Sequence, residues 1–193
     1  MKMEDFAAVS EKLTKIALDA GAFRAGVIST DEVRTDAGFR KMCEQNLCGN
    51  YGRSWMCPPD AGPIEELMAE VRTYSFILVY QTVGELEDSY DFEGMMEAGA
   101  RHNQVVNRVR NAMKAEPLSK VLHLGAGGCR MCEVCAKKTG EPCRHPELAM
   151  SSLETYGINV SELAKAAGMK YINGQNTVTY FGAALFDLSD QEN

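Results

Sequence analysis

Outside two short stretches this chain has no cysteine at all, and several other features are missing with it. No apolar run approaches the ~18 residues that a membrane-spanning helix requires, so no membrane partner is expected. The opening Met-Lys-Met-Glu-Asp-Phe lacks the continuous apolar core of a secretory signal, and a cytoplasmic location is the expectation. Basic residues are in the minority, and the net charge of −7 argues against general nucleic-acid binding. No internal repeat, low-complexity tract or linker-like stretch divides the chain, which reads as one domain over residues 1–193. Ser151, Ser152 and the acidic residues form no nucleophile–base pattern, so the sequence alone assigns no catalytic residue.

What is present is an ordinary globular composition, with 45% apolar and 24% charged residues. A chain of 193 residues with that composition buries a core without staples. Its seven cysteines therefore have another purpose. Cys43, Cys48 and Cys57 are spaced C-x4-C-x8-C, and Cys129, Cys132, Cys135 and Cys143 are spaced C-x2-C-x2-C-x7-C. In a reducing compartment an odd number of thiols points to free thiolates or metal ligands ahead of disulfides.

Hydrophobic periodicity predicts the elements around these groups. A helix is expected over residues 4–20, ended by Gly21, followed by a strand at Phe23–Ser29 and a short helix at Asp36–Gln45. Another helix begins at Pro63. The run Tyr74–Val83 (YSFILVYQTV) is a buried strand, nearly continuous in β-favouring residues. A long helix over Phe92–Ala115 and a strand at Lys120–Leu124 come next. Two helices are expected at Pro146–Tyr156 and Val160–Gly168, the second with Ser161 as its cap. Strands at Lys170–Asn173 and Thr177–Asp187 would form a hairpin about Gly174-Gln175-Asn176. The resulting class is α/β, with α+β as the variant: a mixed β-sheet with flanking helices, a C-terminal hairpin, and cysteine-rich insertions at about 43–62 and 125–146.

The cysteine spacing carries the chemistry. Three thiolates at C-x2-C-x2-C curl round one point, like the first three ligands of a bacterial ferredoxin-type [4Fe–4S] motif. There the fourth cysteine follows after three residues and precedes proline; here Cys143 follows after seven and Pro146 is displaced. Cys143 can thus complete either group. If two clusters form, seven cysteines are one short of eight, and one metal position is open or non-cysteine, which would give Lewis-acid chemistry a place. Zinc is the main alternative, but four-cysteine zinc sites normally pair two separate C-x2-C knuckles, which this chain lacks. Transient handling of soft metals is a third reading. Thiol redox through Cys132 and Cys135 is weaker, because no C-x-x-C opens a helix after a first strand.

The surrounding residues carry fainter signals. Gly49 and Gly52 allow close backbone approach, Pro58 and Pro59 stiffen the exit, and Trp55 would shield a cluster or, with Tyr51, simply pack the loop. Arg130, Lys137, Lys138 and Arg144, with Arg40, Lys41 and Arg53 near the first group, are either solvated loop charges or an offset to thiolate charge. Of three histidines only His145, two residues past Cys143, is placed to act as a ligand or its support; His102 and His123 have no assigned role. Gly125-Ala-Gly-Gly128 is read as a bend into the second cysteine loop rather than a phosphate loop, and the methionines, Met95 and Met96 among them, as core filling.

Residues 43–62, with C-x4-CGNYGRSWMCPPDAG, and residues 129–146, with CRMCEVCAKKTGEPCRHP, resemble the two signatures of a prokaryotic family of predicted metal-binding proteins, a domain of unknown function. The order, separation and total length agree over essentially the whole chain. The resemblance implies metal or iron–sulfur binding by Cys43, Cys48, Cys57, Cys129, Cys132, Cys135 and Cys143, and implies no reaction. The expected function is a metal-binding protein carrying one or two [4Fe–4S] clusters, acting in electron transfer or redox support of a partner protein. The alternative is a zinc-stabilised binding module without catalysis.

Overall fold

The computed structural model describes residues 3–189. Five helices surround one four-stranded sheet: α1 (Met3–Asp19), β1 (Arg24–Ser29), α2 (Gly38–Glu44), α3 (Ile64–Val71), β2 (Phe76–Glu85), α4 (Phe92–Met113), β3 (Leu118–Leu124), α5 (Val160–Ala166) and β4 (Thr177–Leu188). The architecture is therefore α and β together, as the hydrophobic periods predict. The strands lie in the order β1-β2-β4-β3.

All three strand pairings are antiparallel, whereas a mixed sheet was expected. The apolar run of β2 reports that both its faces are covered, and covering is independent of strand direction. Alternate residues of β2 point to opposite layers. Leu78 and Tyr80 join Leu13 and Ala17 of α1 and Val106 and Val109 of α4 in one core cluster. Ile77 and Val79 join Val71 of α3, Leu163 of α5 and Leu153 in the other. Close approach on the first face depends on Gly182, where an added Cβ would lie 2.5 Å from the ring of Tyr80.

Several boundaries differ from expectation. Residues 170–173 form no strand, because β4 already has β2 on one side and β3 on the other. That segment turns across the sheet instead: Tyr171 stacks on Phe181 at 5.9 Å, and Asn173 Nδ2 donates to Thr179 Oγ1 at 3.0 Å. The helix expected at Pro146–Tyr156 is reduced to a single 3-10 turn, Glu154–Tyr156. Its first half is only a turn, with the Leu148 and Ala149 N–H groups donating to His145 O at 3.0 and 2.8 Å, and the Ser151–Leu153 segment is held to Gly125, whose N–H donates to Ser151 O at 3.0 Å and whose O accepts the Leu153 N–H at 3.1 Å. Helix α5 is capped by Asn159, which accepts from the Glu162 N–H at 3.2 Å; Ser161 lies inside the helix. Met113 and Met169 fill the core as expected, but Met96 is 69% exposed.

Under α4 the sheet buries His102, 1% exposed, whose Nδ1 lies 2.9 Å from Thr82 Oγ1 and whose ring stacks on Tyr180. Burial lowers its pKa from 6.5 to about 4. His123 is lowered to about 4 by burial and by repulsion from Arg110 and Lys114. The unfolded chain therefore binds protons between pH 6.5 and 4 that the native state refuses. Native stability should be full above about pH 6.5 and fall steadily toward pH 4, with His102 alone contributing on the order of 3 kcal/mol of the loss. Denaturant midpoints measured across that window for the protein and for His102→Phe check it; the variant should show a shallower acid loss.

Candidate metal centre

The first cysteine group grows out of the end of α2. Cys43 lies in its last turn, and the chain then reverses through residues that adopt positive φ, Asn46 at 54°, Gly49 at 73° and Gly52 at 66°. Asn46 stabilises the reversal by accepting the Tyr51 N–H on its side-chain oxygen at 3.0 Å. The Pro58–Pro59 peptide is cis. Cys57 is buried, Cys43 is half-buried and Cys48 is exposed. Burial raises the Cys57 thiol; Ser54 opposes the shift, and the charges of Cys48, Cys43 and Cys129 add to it. Burial likewise raises Cys43, against Arg40, with Cys48 and two glutamates adding. Burial first, and neighbouring thiols after it, hold Cys43 and Cys57 against ionisation, and a bound cation would offset both.

The second group follows directly from β3. Cys129, Cys132, Cys135 and Cys143 all border one hollow, about 330 Å³ with its open mouth included. Its other walls include Met56, Met131, Ala136 and Ala149, and no carboxylate lines it. Cys143, left between two groups by its spacing, is thus placed with the second. His145 is exposed and does not border the hollow. Soft sulfur donors without oxygen ligands suit zinc or an iron–sulfur cluster and do not suit magnesium or calcium. The seven thiols are all free, and among the described residues no group of three or more His, Cys, Asp or Glu side chains forms a ready-made single-ion site. The four cysteines border one space without forming such a site.

The two loops are parts of one structure. Ser54, 4% exposed, borders the hollow and places its hydroxyl within hydrogen-bonding reach of both Cys57 and Cys135. Burial alone would raise Cys135, but the Lys137 and Trp55 N–H groups, the Ser54 hydroxyl and the nearby Arg144 outweigh it and leave the thiol lowered. Trp55 also borders the hollow, and its indole N–H donates across to Glu141 O at 2.9 Å. Lys137 sits over the Trp55 ring, 4.2 Å from its centroid, and pairs with Asp60. Ser151 Oγ donates to Met56 O at 2.9 Å.

The loop cations divide between structure and electrostatics. Arg144 pairs with Glu141 at 2.7 Å and lies beside Cys132. Arg40 donates to Gly62 O at 2.9 Å while acting on Cys43. Sequence reading missed Ser54, since an isolated serine between arginine and tryptophan has no pattern. It passed over Ser151 because it sought a nucleophile there, whereas the hydroxyl is a strut.

No curated protein and no solved structure matches the chain. No described helix is long and apolar enough to cross a membrane. A family model described as "Predicted metal-binding protein (DUF2284)" matches residues 26–186, a span that takes in both cysteine loops and all four strands but for the ends of β1 and β4. The chain belongs to this family of predicted metal-binding proteins.

Proposed function

We propose that the protein is a redox carrier holding a [4Fe–4S] cluster on Cys129, Cys132, Cys135 and Cys143, with a second centre on Cys43, Cys48 and Cys57, and that it serves a partner redox protein. The observation that carries this reading is that four cysteines border one hollow that no carboxylate lines. Three of the four cysteines stand at C-x2-C-x2-C spacing, the arrangement of a ferredoxin-type cluster loop, which favours a polynuclear group over one tetrahedral ion. A bound cluster of this kind supplies reversible one-electron chemistry.

The chain's own residues would set the properties of that electron. The Lys137 and Trp55 N–H groups and the Ser54 hydroxyl face the Cys135 sulfur, and hydrogen bonds to sulfur favour the more negative, reduced state. Met56, Met131 and Trp55 give the hollow apolar walls. Cys57 stands within electrostatic reach of Cys129, so charge at the first group is felt at the second. The first group supplies three thiolates, leaving one position there to a non-cysteine ligand.

Protein purified without oxygen is expected to be brown, to contain iron and acid-labile sulfide, and to bleach with dithionite. Cys143→Ser should lose the signal of the second centre and keep that of the first. A colourless protein that holds stoichiometric zinc and takes up no cluster on reconstitution would overturn the reading in favour of a zinc-stabilised module. Removing the Ser54 hydroxyl by Ser54→Ala should lower the reduction potential of the second centre by about 40 mV, the one-electron equivalent of a hydrogen bond worth about 1 kcal/mol. Electrochemical titration of both proteins measures it; an unchanged potential removes Ser54 from the tuning role.

A further inference from the structure

A second hollow, of about 390 Å³ including its open mouth, lies against the first, and Cys129 and Met131 border both. One wall is the face of α4 that carries Asn103 and Asn107. The opposite wall is the Gly125–Gly128 loop, with Arg130 beyond it. The loop is fixed in place at its root, where Gly125 exchanges two hydrogen bonds with the Ser151–Leu153 segment. It is also held near its end, where Gly128 backs so closely on Asn50 that an added Cβ would lie 2.9 Å from the amide nitrogen. Gly127, between these anchors, has φ 68°.

The polar groups facing this space are chiefly donors. Asn107 is oriented by Arg110, whose Nη2 donates to its Oδ1 at 2.9 Å, so its Nδ2 is left to donate elsewhere. The N–H groups of Ala126, Gly127 and Gly128 have no backbone acceptor among the described residues, and Arg130 has no carboxylate partner among them. No Asp or Glu borders the hollow, although the chain as a whole carries a net charge of −7. Met131 and Met150 add an apolar side. A few convergent polar groups beside an apolar surface are the usual composition of small-molecule sites.

We propose that this hollow binds a small organic oxyanion, a carboxylate or a phosphate ester. Its anionic group lies on Arg130 and the loop amides, its apolar body on Met131 and Met150, and a polar substituent on Asn103 and Asn107. The inference deepens the metal-centre reading, because a ligand here would sit directly beside Cys129. Binding itself needs only the hollow, so the two can fail separately.

Calorimetric titration of anaerobically purified protein with benzoate and with phenyl phosphate, against neutral benzamide, tests it, with metal content measured on the same samples. At least one anion should bind about tenfold or more tightly than benzamide, and Arg130→Gln should weaken that anion about tenfold without affecting benzamide, as loss of a charge-assisted contact requires. Asn103→Leu, on α4 and away from the cysteine loop, should also weaken it. The stronger of the two anions identifies the ligand as carboxylate or phosphate. Equal binding of anions and benzamide, or affinity unmoved by both variants while their unfolding temperatures match the parent, would overturn the proposal. Anion binding by a protein that contains no metal would uphold the hollow and refute the metal centre instead.

Discussion

One buried serine holds the two cysteine loops to the sheet and to each other. Ser151 accepts the Gly125 N–H on its backbone oxygen, which fixes the start of the second loop where it leaves β3. Its hydroxyl donates to Met56 O, which fixes the first loop one residue before Cys57. A hydrogen bond of this kind contributes only about 1 kcal/mol net, yet leaving its buried partner unsatisfied costs more than that. With both strands of contact drawn to one residue, the loops cannot shift independently. The four-thiol hollow, the Ser54 bridge between Cys57 and Cys135 and the neighbouring donor-lined hollow all lie within reach of that junction.

The sheet explains why the chemistry sits where it does. Helices α1 and α4 cover one face and α3 and α5 the other, so neither face is open to a ligand. Reactive groups are left to the strand ends and the long connections. The loop after β3 and the loop between α2 and α3 meet there, across roughly 85 residues of sequence, through Trp55 and Glu141. The cations in these loops serve two purposes at once: Lys137 packs on Trp55 and pairs with Asp60, while its N–H faces Cys135.

What was legible in the sequence follows from how far each signal reaches. Helical periods and the β2 run depend on neighbours within a few residues, so α1, α3, α4 and β2 were placed close to their observed bounds. Strand direction depends on partners far away, and the antiparallel sheet was accordingly misread as mixed. Residues 170–173 have strand-forming side chains but no free edge to pair with, and tertiary context decided against them. The two cysteine groups were plain from spacing alone. The place of Cys143 was not, because a seven-residue gap permits either group, and only the fold of the 136–143 segment over Trp55 brings it to the second hollow. Ser54 and Ser151 act through contacts 81 and 95 residues away, which no local pattern records.

The central claim is that the thiols of the second loop surround a polynuclear iron–sulfur group. X-ray absorption at the iron and zinc edges of anaerobically purified protein tests it most directly. The account predicts iron with sulfur as its first neighbours and iron–iron scattering beyond them, reduced in Cys143→Ser. A zinc edge with four sulfur neighbours, no metal–metal scattering and no iron would contradict it.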